Sequence, residues 1–158
     1  MDNIYGDFWE TFLEETNTPE TTVLTGCTYF GASEEESVQA LEQLLRGDKT
    51  AVGHCVTAYV TLRQRMPRIG DYTMVADFYG NPCCILKTVD VTIVPLTGTP
   101  EDLRRQEYPE LDADAWLDRK QQEFRDLARQ HGFRYHPELP ILMETVQRVY
   151  PVRKQEAI

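Results

Sequence analysis

Lysine and arginine are absent from the first 45 residues of this 158-residue chain; the first basic side chain is Arg46. Histidine is scarce, with only His54, His131 and His136, and the four cysteines (Cys27, Cys55, Cys83, Cys84) include no C-x-x-C spacing. That combination offers no metal-ligand pattern and no redox pair, and the vicinal Cys83-Cys84 does not easily meet disulfide geometry. No apolar run approaches the roughly 20 residues of a membrane helix. Met1-Asp2-Asn3-Ile4 lacks the basic and then apolar character of a signal peptide. The expectation is a cytoplasmic protein with small buried thiols, no metal, no cofactor and no membrane contact.

What is present is acid. The formal charge is −10, which argues against broad attraction to a phosphate backbone. The charge is unevenly spread, however. Ten acids, from Asp2 to Glu42, precede Arg46, and the remaining 16 acids are matched by 16 bases. A neutral body carries an acidic front. Such a body suits a nucleotide, a nucleoside or a short single strand, and lacks the broad basic face a long duplex requires.

Hydrophobic residues make up 41% and charged residues 27%, the composition of one globular domain. Ile4, Tyr5, Phe8, Trp9, Phe12 and Leu13 recur at helical spacing, so the chain begins with an amphipathic helix, and Asn17 to Thr22 reads as a loop. Ser33 and Glu36 have capping-box spacing before a stripe of Val38, Leu41, Leu44 and Leu45, which Gly47 is placed to end. Short β-like runs follow at Ala51 to Val60, Tyr72 to Phe78, Cys83 to Thr88 and Val89 to Val94, with a hairpin turn at Gly80-Asn81-Pro82. A helix from about Ala113 to Gln130, capped by Asp112 and ended by Gly132, precedes a last strand from Leu139 to Tyr150. Five or so strands with two or three helices indicate an α+β fold built on a small curved sheet or barrel.

The sharpest local feature is Gly47-Asp48-Lys49-Thr50-Ala51, a lone lysine where a helix stops and a strand begins. Taken by itself it reads as a solvated lysine near the negative end of a helix. The segment Leu44-Leu45-Arg46-Gly47-Asp48-Lys49-Thr50-Ala51 nevertheless resembles the helix-then-G-x-K-T-A signature of ASCH domains, a branch of the PUA-like superfamily. Other pieces match in the same order: Tyr29-Phe30-Gly31, Met66-Pro67-Arg68-Ile69-Gly70-Asp71, Gly80-Asn81-Pro82-Cys83-Cys84-Ile85-Leu86, then Glu107, Trp116 and Met143-Glu144.

The resemblance implies a small PUA-like β-barrel of five or six strands with flanking helices. It places residues 23–158 in the domain, with 1–22 as an acidic amphipathic extension packed on it. The family is associated with RNA binding, ribonuclease activity and N(4)-acetylcytidine deacylation, so the implied function is recognition of a nucleotide, modified nucleoside or short single-stranded RNA. Lys49 and Glu107 would line the cleft, Lys49 on a phosphate or carbonyl oxygen and Glu107 orienting the ligand or acting as base. The same pair would serve a metal-independent amidohydrolase or ribonuclease. A third reading is a protein-interaction module using the N-terminal helix. The number of subunits is left open, a dimer included.

The chain also departs from the family pattern. Val52 stands where deacylating members have threonine, Tyr108-Pro109 replaces loop glycines, and Lys120 replaces a histidine four positions after the tryptophan. Thr50 and Tyr29 are secondary lining candidates, with core packing favoured for Tyr29 and Phe30 and also for Trp116. Arg63, Arg65 and Arg68 form the densest basic cluster, either a phosphate grip or a solvated loop. Glu144, in register with Leu142, Val146 and Tyr150, is expected to face inward and pair with Lys49 or an arginine.

Overall fold

Asn3 opens the first helix, α1 (Ile4–Glu15), its side chain accepting from the Gly6 N–H at 3.0 Å. The computed structural model describes residues 3–152. Among them are four further helices, α2 (Glu34–Arg46), α3 (Val56–Leu62), α4 (Glu101–Glu107) and α5 (Ala113–His131), and a 3-10 turn at Leu96–Gly98. The strands are β1 (Gly26–Thr28), β2 (Ala51–Cys55), β3 (Tyr72–Ala76), β4 (Pro82–Pro95) and β5 (Pro140–Tyr150). They are hydrogen-bonded as one sheet in the order β1-β3-β4-β5-β2, with β1 parallel to β3 and the pairs β3–β4 and β2–β5 antiparallel. The architecture is α+β, as expected. No helix among the described residues is long and apolar enough to cross a membrane.

The residues fall into two compact groups. The first comprises 3–47, 70–88 and 147–152. Here the i, i+4 pair Phe8 and Phe12, with Trp9 and Leu13, turns one face of α1 onto Ile85, Tyr72, Val149 and Tyr150. Phe12, 1% exposed, meets Tyr72 at 5.9 Å and Tyr150 at 5.8 Å between ring centroids, and Phe8 and Trp9 add edge contacts with the same two rings.

Helix α2 starts as its residues ask, Ser33 accepting from the Glu36 N–H at 3.2 Å; the Glu36 carboxylate, however, takes the N–H of Ala32 at 2.8 Å. Gly31 (φ +89) lets the preceding chain press onto this first turn, since a Cβ there would lie 2.7 Å from the Ser37 nitrogen. The buried face carries Ser37, Leu41, Gln43 and Leu44, so Val38 and Leu45 are exposed, contrary to the expected stripe. Tyr29, 59% exposed, is likewise not core.

The second group comprises 48–69 and 89–146. Its core joins Ala51, Cys55, Ile141 and Met143 of β2 and β5 to Ala58, Leu96, Trp116 and Phe124. Trp116 is fully buried there, as expected. The run from Ala51 to Val60 is not one strand: β2 ends at Cys55 and α3 begins at Val56. The β-branched Val56, Thr57 and Val60 favour a strand by propensity, but the helix brings Ala58 into the core and packing decides. Residues 108–112 form a turn where the resemblance implied a loop, but the helix before it, α4, was not expected. Pro100 followed by Glu101 and Asp102 is the start signal that identifies it. The two β runs from Cys83 to Val94 form the single strand β4. Of the cysteines, Cys55 and Cys84 are buried as expected, whereas Cys27 is exposed and Cys83 half-buried.

Phe12→Ala removes the ring on which Tyr72 and Tyr150 converge. It is expected to cost about 3–5 kcal/mol of stability, read as a lowered urea midpoint with an unchanged slope.

Candidate functional site

A helix leaves its last carbonyls without intrahelical partners. At the end of α4 these carbonyls are met by the residues just before β2. The Lys49 ammonium donates to the Glu107 carbonyl at 2.6 Å, and the Thr50 N–H donates to the Gln106 carbonyl at 2.9 Å. Thr50 Oγ1 lies 3.3 Å from Gln106 Oε1. Lys49 therefore sits at the negative end of a helix, but of α4 rather than α2, and it is buried, at 4% exposed, instead of solvated.

The Glu107 side chain turns to the strand. Its Oε2 accepts from the Gly53 N–H at 2.6 Å and pairs with the Lys120 ammonium at 2.8 Å, while Oε1 accepts from the Trp116 indole N–H at 2.8 Å. Lys120 spends its other protons on Glu123 Oε2 at 3.0 Å and the Gly53 carbonyl at 3.3 Å. Strand β2 ends the sheet order, and its neighbour β5 engages only one of its edges. Gly53 thus has both backbone groups taken by an ion pair: the acid receives the N–H and the lysine reaches the carbonyl. Glycine suits so close an approach, because a Cβ at 53 would press on the side-chain ends of Ile141 at 2.9 Å, Met143 at 3.0 Å and Glu107 Oε1 at 3.1 Å and oblige them to shift.

The Tyr108 ring lies under three cations: Arg119 at 4.1 Å, Lys49 at 4.7 Å and Lys120 at 5.3 Å from its centroid. Its hydroxyl donates to Glu123 at 3.1 Å. Burial raises the Tyr108 pKa, so the phenol stays neutral.

The two lysines differ electrostatically. Burial disfavours the charge on Lys120, but Glu107 and Glu123 outweigh it and lift its pKa above the ordinary lysine value. Burial pulls Lys49 down to about 8, Glu107 offsetting only part of this and Lys120 adding repulsion. Glu107 is held below the usual carboxylate range: burial works against its charge, and Lys120 and Lys49 overcome it. An ionised carboxylate that accepts from three donors is poorly suited to act as a base. A lysine with its pKa near 8 is suited to contact an oxyanion or a carbonyl.

Glu144 is inward-facing, at 7% exposed. In the β2–β5 register, Gly53 lies opposite Met143 and Val52 opposite Glu144. Gly53 and Met143 thus share one face of the pair, and Glu144 belongs to the other, with Val52, His54 and Leu142. There it lies 2.8 Å from His54 Nε2, while the Tyr59 hydroxyl lies 3.1 Å from His54 Nδ1. Burial, with the charge of Glu144, raises the Tyr59 pKa. Arg63, Arg65 and Arg68 are exposed on the segment that follows α3, and Arg63 itself closes that helix in the left-handed conformation (φ 54). Tyr29 belongs to the other group of residues, where it lines a depression with Tyr5, Phe78 and Tyr79.

Sequence reasoning brought Lys49, Thr50 and Glu107 to one place but missed the roles of Gly53, Tyr108, Trp116 and Lys120, and it missed the His54–Tyr59 pair altogether. One signal was available: Lys120 stands four residues after Trp116 on one helix face, so a tryptophan in the core brings that lysine with it. No group of three or more His, Cys, Asp or Glu side chains among the described residues is placed to hold a metal ion.

Glu107→Gln leaves the Lys120 charge buried beside Glu123 alone, and a loss of about 3–5 kcal/mol is expected. The variant also loses part of the acid dependence of stability. Because the folded-state pKa of Glu107 is depressed, its ionisation stabilises above the unfolded value, and that contribution disappears as pH falls through the folded one. Lys49 has the opposite consequence at alkaline pH. Between about 8 and its ordinary 10.5 the unfolded chain holds the proton that the folded chain has released, so raising the pH stabilises the wild type relative to Lys49→Met. Urea titrations across that window measure the difference.

A family model described as "ASCH domain" matches residues 26–150. No curated protein matches the chain. Among solved structures, an ASCH domain from Lactobacillus crispatus JV V101 is 22% identical, covers 95% of this chain and 96% of its own, and superposes with a TM-score of 0.86. Protein EF3133 from Enterococcus faecalis V583 is 20% identical, with 94% and 95% covered and a TM-score of 0.80. These likenesses establish the PUA-like fold, and the family match spans most of the sequence: the chain belongs to the ASCH domain family.

Proposed function

We propose that this protein binds a nucleoside, a nucleotide or a short single-stranded RNA, with Lys49 as the principal polar contact and Thr50 beside it. The observation that carries the reading is the division of labour between the two lysines. Lys120 neutralises Glu107, while Lys49, at the end of α4, keeps a charge that burial opposes. A ligand oxygen that accepts from Lys49 relieves that opposition, which is a direct source of affinity. The zero net charge of residues 46–158 favours a small ligand over a long duplex. In a reducing cytoplasm the four free thiols would persist as they are.

Hydrolysis is the second reading, and Lys49 is again its motive. An amine with its pKa at about 8 is about one-tenth unprotonated at neutral pH, enough to serve as a base or nucleophile. Glu107 does not support that reading, since both its oxygens are occupied. The protein-interaction reading is weakened because the apolar face of α1 is packed on Ile85, Tyr72 and Tyr150.

Thermal-shift and calorimetric titration with cytidine, cytidine monophosphate, N(4)-acetylcytidine and a short single-stranded RNA separate these readings. Saturable binding that weakens about tenfold or more in Lys49→Met, the worth of one charge-assisted hydrogen bond, is the expected result. Release of acetate or cleaved RNA by the wild type, lost in Lys49→Met, would instead establish the hydrolase.

A further inference from the structure

The first group of residues carries a feature that the Lys49 site does not use. A depression of about 370 Å³ is lined by Tyr5, Tyr29, Phe78, Tyr79 and Asp77, with Cys27 at its edge. Three of its rings are exposed far beyond what a core residue allows: Tyr79 by 70%, Tyr29 by 59% and Phe78 by 42%. Aromatic rings gathered this way on a polar surface mark a recognition site more often than a packing accident.

The rings are held, not loose. Phe78 and Tyr79 occupy the turn between β3 and β4, and the Asp77 carboxylate organises that turn. Its Oδ1 accepts from the N–H groups of Tyr79 and Asn81, each at 2.9 Å, and its Oδ2 from the Asn81 amide at 3.1 Å. The two rings stand edge to face, with centroids 5.7 Å apart at 88°. The Tyr5 hydroxyl donates to the Gly80 carbonyl, fixing the turn to α1. A site built on so tight a turn is preorganised, so little ordering cost falls on binding.

Its electrostatics are those of an anion. Hydrogen bonds from the turn, that of the Asn81 N–H foremost, keep Asp77 ionised, and the Glu34 carboxylate raises the pKa of the Tyr79 hydroxyl. Within the described residues of this group, eleven carboxylates face only three cations, Arg46, Lys87 and Arg148. A phosphate is repelled here. A flat ring carrying delocalised positive charge is attracted twice, by the aromatic faces and by the carboxylates.

We propose that this depression binds a positively charged nucleobase, that is, a ring-N-methylated purine nucleoside without its phosphates, stacked on the Tyr79 ring and bordered by Phe78 and Tyr29. The volume fits a nucleoside and is well above the size of a quaternary ammonium head; the depression lies at the small end of ligand pockets. The inference deepens the nucleoside reading of this protein by naming a ligand class for a second site, and it does not require Lys49.

The test compares 7-methylguanosine, guanosine, 7-methylguanosine monophosphate and tetramethylammonium by amide chemical-shift titration, following Tyr79 and Asn81. The expected result is that 7-methylguanosine shifts these amides and binds at least about fivefold more tightly than guanosine, the worth of one cation–π contact, with the monophosphate weaker than the nucleoside. Tyr79→Ala should reduce the affinity about fivefold, and Tyr79→Phe, which keeps the ring, should restore it. Equal binding of guanosine and 7-methylguanosine, no binding of either, or tetramethylammonium binding as well as 7-methylguanosine would overturn the proposal. The Thr50 amide, followed in the same spectra, reports the other site: shifts at Tyr79 and Asn81 are expected to saturate independently of any shift at Thr50, so failure here is distinguishable from failure at Lys49.

Discussion

The buried contact between Glu107 and Lys120 is the interaction on which the second group of residues depends. Two charges removed from water cost several kcal/mol each unless every remaining valence is met, and here the partners are supplied by three elements at once. Strand β2 gives the Gly53 N–H and carbonyl, α5 gives the Trp116 indole and Lys120, and α4 gives the acid itself. The pair also resolves a liability of topology. A terminal strand presents unpaired backbone groups along its free edge, and Gly53 has its own satisfied by side chains instead of by another strand. The ion pair is thus as much a seal on the sheet as a bond between helices.

That seal constrains chemistry. Two departures from the family pattern, Tyr108 and Lys120, come together in space, and each changes what Glu107 and Lys49 are able to do. Lys120 occupies one oxygen of the acid and fixes its charge, which removes Glu107 as a proton acceptor near neutrality. Tyr108 covers Lys49 with a ring where a glycine would leave open space. A lysine beneath an aromatic face, donating to a helix carbonyl, has the setting of a charge-assisted donor more than that of a base, which is why the proposed reading is binding. Binding follows more readily than catalysis from that arrangement, and the two substitutions supply the reason together.

Much of this was legible in the residues, for reasons that are local. Helix α5 and its caps, the Ser33 start of α2 and the Gly80-Asn81-Pro82 hairpin rest on capping and turn chemistry that a short window contains. Helix α3 was not legible, because Val56, Thr57 and Val60 favour a strand and only the packing of Ala58 overrules them. The place of Lys49 and Glu107 in one site was readable through family motifs, whereas the inward role of Lys120 was not. A lysine in a helix rich in charge is ordinarily solvated; its place four residues after Trp116 marks it as inward-facing, but its role is defined only by the Glu107 carboxylate that meets it. Glu144 illustrates the limit of strand parity. Alternation along β5 placed it inward, but which face of the sheet it shares with which partner depends on a register that only the paired strand defines.

Charge is divided unequally between the two groups of residues, and the two proposed ligands follow that division. The acids concentrate in the first group of residues, where eleven oppose three cations, while the described residues of the second hold thirteen acids against eleven bases. Polyanion binding gains its strength from counterions released by many cations acting together, and neither group assembles them. An isolated phosphate or carbonyl requires only one well-placed donor, and Lys49 is one whose charge is disfavoured where it stands. A cationic or uncharged ring, by contrast, meets no repulsion among the carboxylates around Tyr79. The same distribution that lacks the many cations a polyanion needs is compatible with the two small ligands proposed, one recognised through an oxygen and the other through a ring.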